Sequence, residues 1–289
     1  MFRPSVVFVL LGLCLALFPS ATAGQKKTPE RPKPRKYRLV WADEFDYKGP
    51  PDPRKWGFET GFVRNKELQY YTGRPENVRV EDGMLVIEAR REKFRNPEFT
   101  NRKDKNWRLN RAFARYTSAS LTTRGRADWL YGRIEVRARL PRGRGAWPAI
   151  WMLGSNEENA NRLADGEIDI MEHVGFEPAA IYGTVHTEAY NDSKGTQRVG
   201  RTEIENPAGE FHVYAIEWTP EKLDFLVDGR VYYSFPNERR TRAEWPFDRK
   251  FYLKINSAVG GEWAGREGID DASFPQLFAI DYVRVYQSK

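Results

Sequence analysis

The chain has 289 residues and a formal charge of +7, with 47 Lys and Arg against 40 Asp and Glu. That length can bury one large core, and all-β sandwiches of this size are commonly single domains. Basic and acidic residues are interspersed, which argues against a nucleic-acid partner, and the single cysteine, Cys14, leaves no disulfide framework.

Residues 1–23 read as a cleavable signal peptide. Arg3 supplies the positive end, Val6 to Phe18 the apolar run, and Ala21-Thr22-Ala23 a small-residue cleavage site. The run is too short to span a membrane comfortably, and no second apolar segment follows, so no stable membrane insertion is expected. Cys14 sits inside this segment, and Leu13 before it is bulkier than the small residue a lipid-attachment site prefers. The expectation is a secreted or periplasmic monomer, cleaved after Ala23, that folds without disulfides where they would be permitted. Residues 24–36, rich in Lys, Arg and Pro, suit an extended linker. The folded domain is expected over residues 37–289.

From Tyr37 onward strand follows strand. An Asp82-Gly83 turn leads into Met84-Leu85-Val86-Ile87-Glu88-Ala89. Arg90 to Arg115 is a dense basic run around Phe94, Phe99, Trp107 and Phe113. A solvated surface loop is the favoured reading, with a patch for an anionic wall or sulfated polymer as the sharper one. Tyr131 to Leu140 alternates apolar and polar residues with a period of two. Short helical turns are expected near Asn156 to Leu163 and Arg240 to Trp245. Val213 to Trp218, Leu223 to Val227, Val231 to Phe235, Phe251 to Ser257 and Phe278 to Tyr286 continue the strand pattern, with Asp228-Gly229 as a hairpin turn. Many strands, weak helical periodicity and no repeat imply an all-β sandwich of two packed antiparallel sheets.

The chemistry concentrates in Gly166-Glu167-Ile168-Asp169-Ile170-Met171-Glu172-His173. Burying unpaired carboxylates is costly, so acids between aliphatic strand positions point to an open cleft, and paired carboxylates are the usual equipment for cutting glycosidic bonds. On a regular strand Glu167 and Asp169 share a face and Glu172 takes the other. One extra residue, a β-bulge near Ile170-Met171, returns Glu172 to the face of Glu167. The pair would then stand about 5–5.5 Å apart, as a retaining mechanism requires. Glu167 would attack the anomeric carbon. Glu172, its proton affinity raised by the neighbouring charge, would serve as acid and then base. Asp169 between them could hydrogen-bond Glu167 and keep it ionised. The alternative is an exposed acidic strand edge. Trp147 and Trp151, just upstream, could stack on sugar rings or belong to the core.

Glu167-Ile-Asp-Ile-Met-Glu172 resembles the E-[IL]-D-[IVF]-x-E signature of glycoside hydrolase family 16 in its bulged form. Trp41 to Phe45, Glu67 to Thr72, Trp147 to Met152, Tyr182 to His186, Ala258 to Trp263 and Asp281 to Tyr286 are similar to its laminarinase branch, the endo-β-1,3-glucanases. The likeness spans Tyr37 to Gln287 and makes residues 37–289 a catalytic domain. It implies a β-jelly-roll sandwich with a glycan cleft across its concave sheet. Glu167 matches the nucleophile, Asp169 the supporting acid and Glu172 the acid/base. Asn65, Trp147, Trp151, His186, Asn256 and Trp263 match cleft residues that contact substrate, a β-glucan. Catalysis by two carboxylates needs no cofactor. The resemblance does imply a structural Ca²⁺ held by the backbone carbonyls of Glu44 and Gly83 and a side-chain oxygen of Asp281, hard ligands that suit that ion.

Two departures stand out. Family members often read Tyr-Thr-Ser-Ala-Arg where this chain has Tyr116-Thr117-Ser118-Ala119-Ser120, so Ser120 replaces an arginine that could contact sugar. The basic stretch Arg91 to Arg115 is also longer than expected. Both bear on substrate choice, which leaves open a mixed-linkage β-glucan or a marine galactan such as agar or carrageenan. A non-catalytic glycan-binding protein is a further alternative, disfavoured because such relatives typically lose one of the acids and all three are present.

Overall fold

The computed structural model describes residues 37–155 and 162–288. The signal peptide, Cys14 and the linker of residues 24–36 lie outside the described residues, as does most of the expected helical turn at Asn156 to Leu163. Among the described residues no helix is long and apolar enough to cross a membrane.

Two sheets form the domain. One has seven strands, running edge to edge as Arg198–Glu203, Ala180–His186, Glu167–Glu172, Ala146–Gly154, Phe251–Val259, Ser120–Thr122 and Gly57–Phe58. The other has ten. Its main path is Arg230–Pro236, Lys222–Val227, His212–Trp218, Gly132–Arg139, Gln276–Ser288, Met84–Arg95, Phe113–Ser118 and Gln69–Tyr71. Tyr37–Asp43 pairs with Gln276–Ser288, and Val78–Glu81 with Met84–Arg95. All pairs are antiparallel except Gln69–Tyr71 with Phe113–Ser118.

The core lies where the inward side chains of the two sheets meet. Ile150, Met152, Ile168 and Ile170 from one sheet join Ile134, Val136, Trp218, Phe225 and Phe278 from the other in one buried cluster. Fully burying such a side chain contributes roughly 1.5–3 kcal/mol relative to leaving it exposed, which fixes the register of every strand with one inward face. Asp228-Gly229 and Asp82-Gly83 close two hairpins with φ of 49° and 74°, and 52° and 74°. Positive φ at both central positions is the turn that matches strand twist, and Asp-Gly adopts it readily.

The expected short turn at Arg240 to Trp245 is present as a single turn, in which the Thr241 carbonyl accepts from the amides of Glu244 and Trp245. Pro246 follows, and the residue before a proline is disfavoured in helical geometry. The basic stretch is a largely exposed loop over residues 96–112, with a strand at each end. Its first part extends the strand Met84–Arg95, and the chain returns along Phe113–Ser118. Phe94 and Trp107 pack with Phe62, Tyr70 and Ala114 in a satellite cluster. Arg74 and Arg111 lie over these aromatic faces, 4.8 Å from Phe94 and 5.2 Å from Trp107. The guanidinium heads thus lie on the aromatic faces as cation–π contacts.

Candidate active site

Glu167–Glu172 lies between Ala146–Gly154 and Ala180–His186, and its register breaks against both neighbours. Asp169 pairs with Trp151 and Thr184, whereas Glu172 pairs with Ala149 and Tyr182. The extra residue falls at Ile170-Met171, and both side chains enter the core cluster. Ile168 is buried inward, so Glu167, Asp169 and, past the bulge, Glu172 all face the opposite side. Two adjacent apolar residues going inward is the energetic reason for the bulge: a regular strand would push one of them, or Glu172, to the wrong face.

The acids line a cleft with two lobes. One, of about 390 Å³, is bordered by Asn65, Trp147, Trp151 and Asn256. The other is bordered by Asn65, Trp147, His186 and Trp263. Every candidate substrate contact is therefore at the cleft, and Glu167 and Glu172 belong to both lobes. The residues differ in what they offer. Trp147 donates its indole N–H to Glu172 Oε1 at 3.1 Å and meets Trp263 edge to face, with ring centroids 5.5 Å apart. Tyr182 also meets Trp263 edge to face, with ring centroids 5.1 Å apart. Asn65 adopts φ 52° and accepts a hydrogen bond from the Glu262 amide through its carbonyl, tying its loop to the one carrying Trp263. Trp151 and Asn256 are buried against each other, indole N–H to Oδ1 at 2.7 Å, with Tyr71 accepting from the Asn256 amide at 3.1 Å.

The electrostatics separate the three acids. Glu167 is held by Arg162, whose Nη1 lies 2.8 Å from each carboxylate oxygen. Glu172 is pushed up to about 7, by burial and by the Glu167 charge, against hydrogen bonds from Trp147 and Thr184 that favour its ionised form. Burial and the charges of Glu167 and Glu172 push Asp169 well above the usual carboxylate range. Asp169 Oδ2 has no hydrogen-bond partner and faces His186 Nε2 at 3.4 Å. Burial lowers the pKa of His186. The direct Asp169–Glu167 hydrogen bond expected from the sequence is absent among the described residues, and Arg162 takes that place.

Arg162 was not legible as a site residue. It stands at the start of the helical turn Arg162–Asp165, and Gly166, at φ 86°, turns the chain so that Arg162 faces Glu167. Lys254, Arg64 and Glu59 were also missed, although a lysine among the apolar residues of Phe251–Val259 was a readable signal.

Two sets of residues have metal-ligating chemistry. Ligand atoms of Glu167, Asp169 and His186 lie within 4.8 Å of one another, yet both Glu167 oxygens are already taken by a guanidinium, which a cation would have to displace. The expected calcium residues lie elsewhere. Ile280 pairs with Leu85, and Val283 with Asp43. Asp281, inside the strand Gln276–Ser288, therefore lies where that strand's pairing with Met84–Arg95 stops and its pairing with Tyr37–Asp43 starts, near the Gly83 turn and Glu44. Arg284 occupies the Glu44 carboxylate, and Arg137 binds Asp281 Oδ2 at 2.6 Å, leaving Oδ1 for another partner. Two carbonyls and a carboxylate oxygen are hard donors, and the set fits Ca²⁺.

The sequence profile of the glycosyl hydrolases family 16 matches residues 67–284. A β-glucanase from Rhodothermus marinus is 51% identical over 261 residues, covering 87% of this chain and 85% of its own. A glucan endo-1,3-β-glucosidase from Cryptopygus antarcticus is 37% identical over 268 residues, covering 85% and 90%. The X-ray structure of the laminarinase from Rhodothermus marinus matches with a TM-score of 0.79 at 49% identity, over 89% of this chain and 100% of that one.

Proposed function

The chain belongs to glycosyl hydrolases family 16 and has that family's jelly-roll sandwich, and from that premise we propose that this glycoside hydrolase cuts β-1,3-glucan internally with retention of anomeric configuration. The observation that carries the reading is the bulge at Ile170-Met171, which puts Glu172 on the face of Glu167. Glu167, oriented by Arg162, attacks the anomeric carbon. Glu172, raised to about 7, still carries a proton at neutral pH and gives it to the leaving oxygen. A glycosyl–enzyme ester forms as the glycosidic bond breaks, and Glu172, now ionised, takes a proton from the water that hydrolyses it. Asp169, driven towards its protonated form, keeps a further negative charge away from the pair. Trp263 and Trp147 supply apolar surface at the cleft for sugar rings.

The carbonyls of Glu44 and Gly83 and the side chain of Asp281 would hold Ca²⁺, which would supply cross-strand anchoring away from the cleft. The signal-like residues 1–23 support a secreted or periplasmic location, where a polysaccharide would be met.

Reducing-sugar release from laminarin, lichenan, barley glucan, agarose and carrageenan tests the substrate, and proton NMR of the first product tests the stereochemistry. Laminarin should be cut most readily, with the β-anomer appearing before mutarotation. Preference for a galactan, or the α-anomer first, would overturn the corresponding half of the reading.

A further inference from the structure

The face of Trp151 is occupied by cations rather than open to a sugar ring. Lys254 Nζ stands 4.2 Å from its ring centroid and the Arg64 guanidinium 5.0 Å. Both cations depend on a single carboxylate, Glu59. Lys254 Nζ lies 2.7 Å from Oε1, while Arg64 Nη2 bonds Oε2, which also accepts from Ser120 Oγ at 2.6 Å. Lys254 is only 5% exposed, and Arg64 Nη1 is buried with no hydrogen-bond partner. A buried lysine is costly unless paired, and Glu59 is the partner that Lys254 shares with Arg64.

The surroundings do not cancel the surplus. Despite burial, the charges of Arg64 and Lys254 hold Glu59 down to about 2, so it is firmly ionised, but it is one anion against two cations. Burial pushes Glu67, beside Arg64, the other way, towards protonation. Arg108, on the same lobe, donates to the Val63 carbonyl and pairs with no carboxylate among the described residues. Arg162 uses its charge on Glu167. Glu167, Asp169 and Glu172 line the same lobe, so the surplus is local to Glu59, where two cations share one carboxylate.

Building on the reading above, we propose that Arg64 and Lys254 form a subsite for an anionic ring substituent, a sulfate ester or a carboxylate, on the sugar bound at the Trp151 lobe of the cleft. Ser120, where an arginine would compete for Glu59, leaves that carboxylate to anchor the pair. Both cations line the lobe, and charge-assisted bonds to an oxyanion are the strong ones.

Calorimetric binding to the Glu167→Gln protein, which should hold substrate without cutting it, tests this with three probes: a neutral β-1,3-gluco-oligosaccharide, the same chain sulfated, and the same chain carrying carboxylates. At least one anionic probe should bind about tenfold tighter than the neutral one, and the two anionic arms tell sulfate from carboxylate. Lys254→Met and Arg64→Gln should each bring that ratio close to one. Should either variant fail to fold, the ratio in the Glu167→Gln protein should instead collapse as ionic strength rises. Anionic probes that bind no better than the neutral one, or a preference that survives both substitutions and high salt, would overturn the subsite. Hydrolysis of neutral laminarin by the unsubstituted protein is read separately, so a failure of the glucanase reading is not confused with a failure here.

Discussion

A single nitrogen of Arg162, Nη1, reaches both carboxylate oxygens of Glu167 at 2.8 Å. The acid assigned as nucleophile is therefore oriented from outside its own strand, by a side chain on the turn that precedes it. Asp169, the strand neighbour, instead faces His186.

Arg162→Met should slow attack without disturbing the fold. A hydrogen bond to a charged group contributes about 1.5–3 kcal/mol. The Arg162 side chain is 45% exposed, so solvent screening reduces this to ~1.4 kcal/mol, about tenfold in rate. Mass spectrometry with a 2-fluoroglycoside that traps the glycosyl–enzyme should show slower labelling of Glu167. Labelling at the unsubstituted rate would remove Arg162 from the mechanism.

Activity should fall on the alkaline side near pH 7, where the proton on Glu172 is lost. The three carboxylates interact, so the limb is a property of the set rather than of one residue. The Trp147 hydrogen bond favours the ionised form, and Trp147→Phe should therefore move the alkaline limb of kcat/KM upward. A limb that stays in place or moves down would contradict the assignment. Stability carries the same signature. The pKa of Glu172 is raised from 4.5 to about 7, so its contribution is complete below pH 4.5 and lost as pH climbs through 7. Glu172→Gln should flatten the melting temperature across that window.

Glu172→Ala should lose most turnover on polymer, yet recover with substrates whose leaving groups need no proton. Azide should also rescue it, since an anionic nucleophile needs no general base, and a β-glycosyl azide should accumulate. A loss that is uniform across leaving groups and untouched by azide would point to a structural role instead.

The sequence made the acids legible because their spacing conflicts with a period of two, and the bulge is the simplest repair. The strands were legible for a similar reason, since alternation at Tyr131 to Leu140 and Phe278 to Tyr286 leaves few alternatives. Arg162 was hidden because its relation to Glu167 depends on the backbone at Gly166. The pairing of Lys254 and Arg64 through Glu59 joins residues 195 positions apart at its widest, which no local pattern encodes. Trp151 shows the limit from the other direction: its position at the cleft could be read, but the cations covering its ring could not.

The last prediction concerns the metal. Glu44 follows the strand Tyr37–Asp43, Gly83 precedes Met84–Arg95, and Asp281 lies inside Gln276–Ser288, the strand that pairs with both. A ligand that binds only the folded state stabilises it by about 2.7 kcal/mol at a hundred times its Kd. For a domain of this size each kcal/mol moves Tm by about 2–4 °C. Calcium added to chelator-treated protein should therefore raise Tm by several degrees. Asp281→Asn keeps an oxygen to accept from Arg137 but removes the negative charge a hard cation requires, so it should abolish most of that shift. Hydrolysis of laminarin at temperatures where both forms are folded should hardly change, because the cleft residues are on other strands and two-carboxylate chemistry needs no metal for its bond-making steps. Identical melting curves with and without calcium would remove the metal from this site and leave the assignment of Glu167 and Glu172 standing.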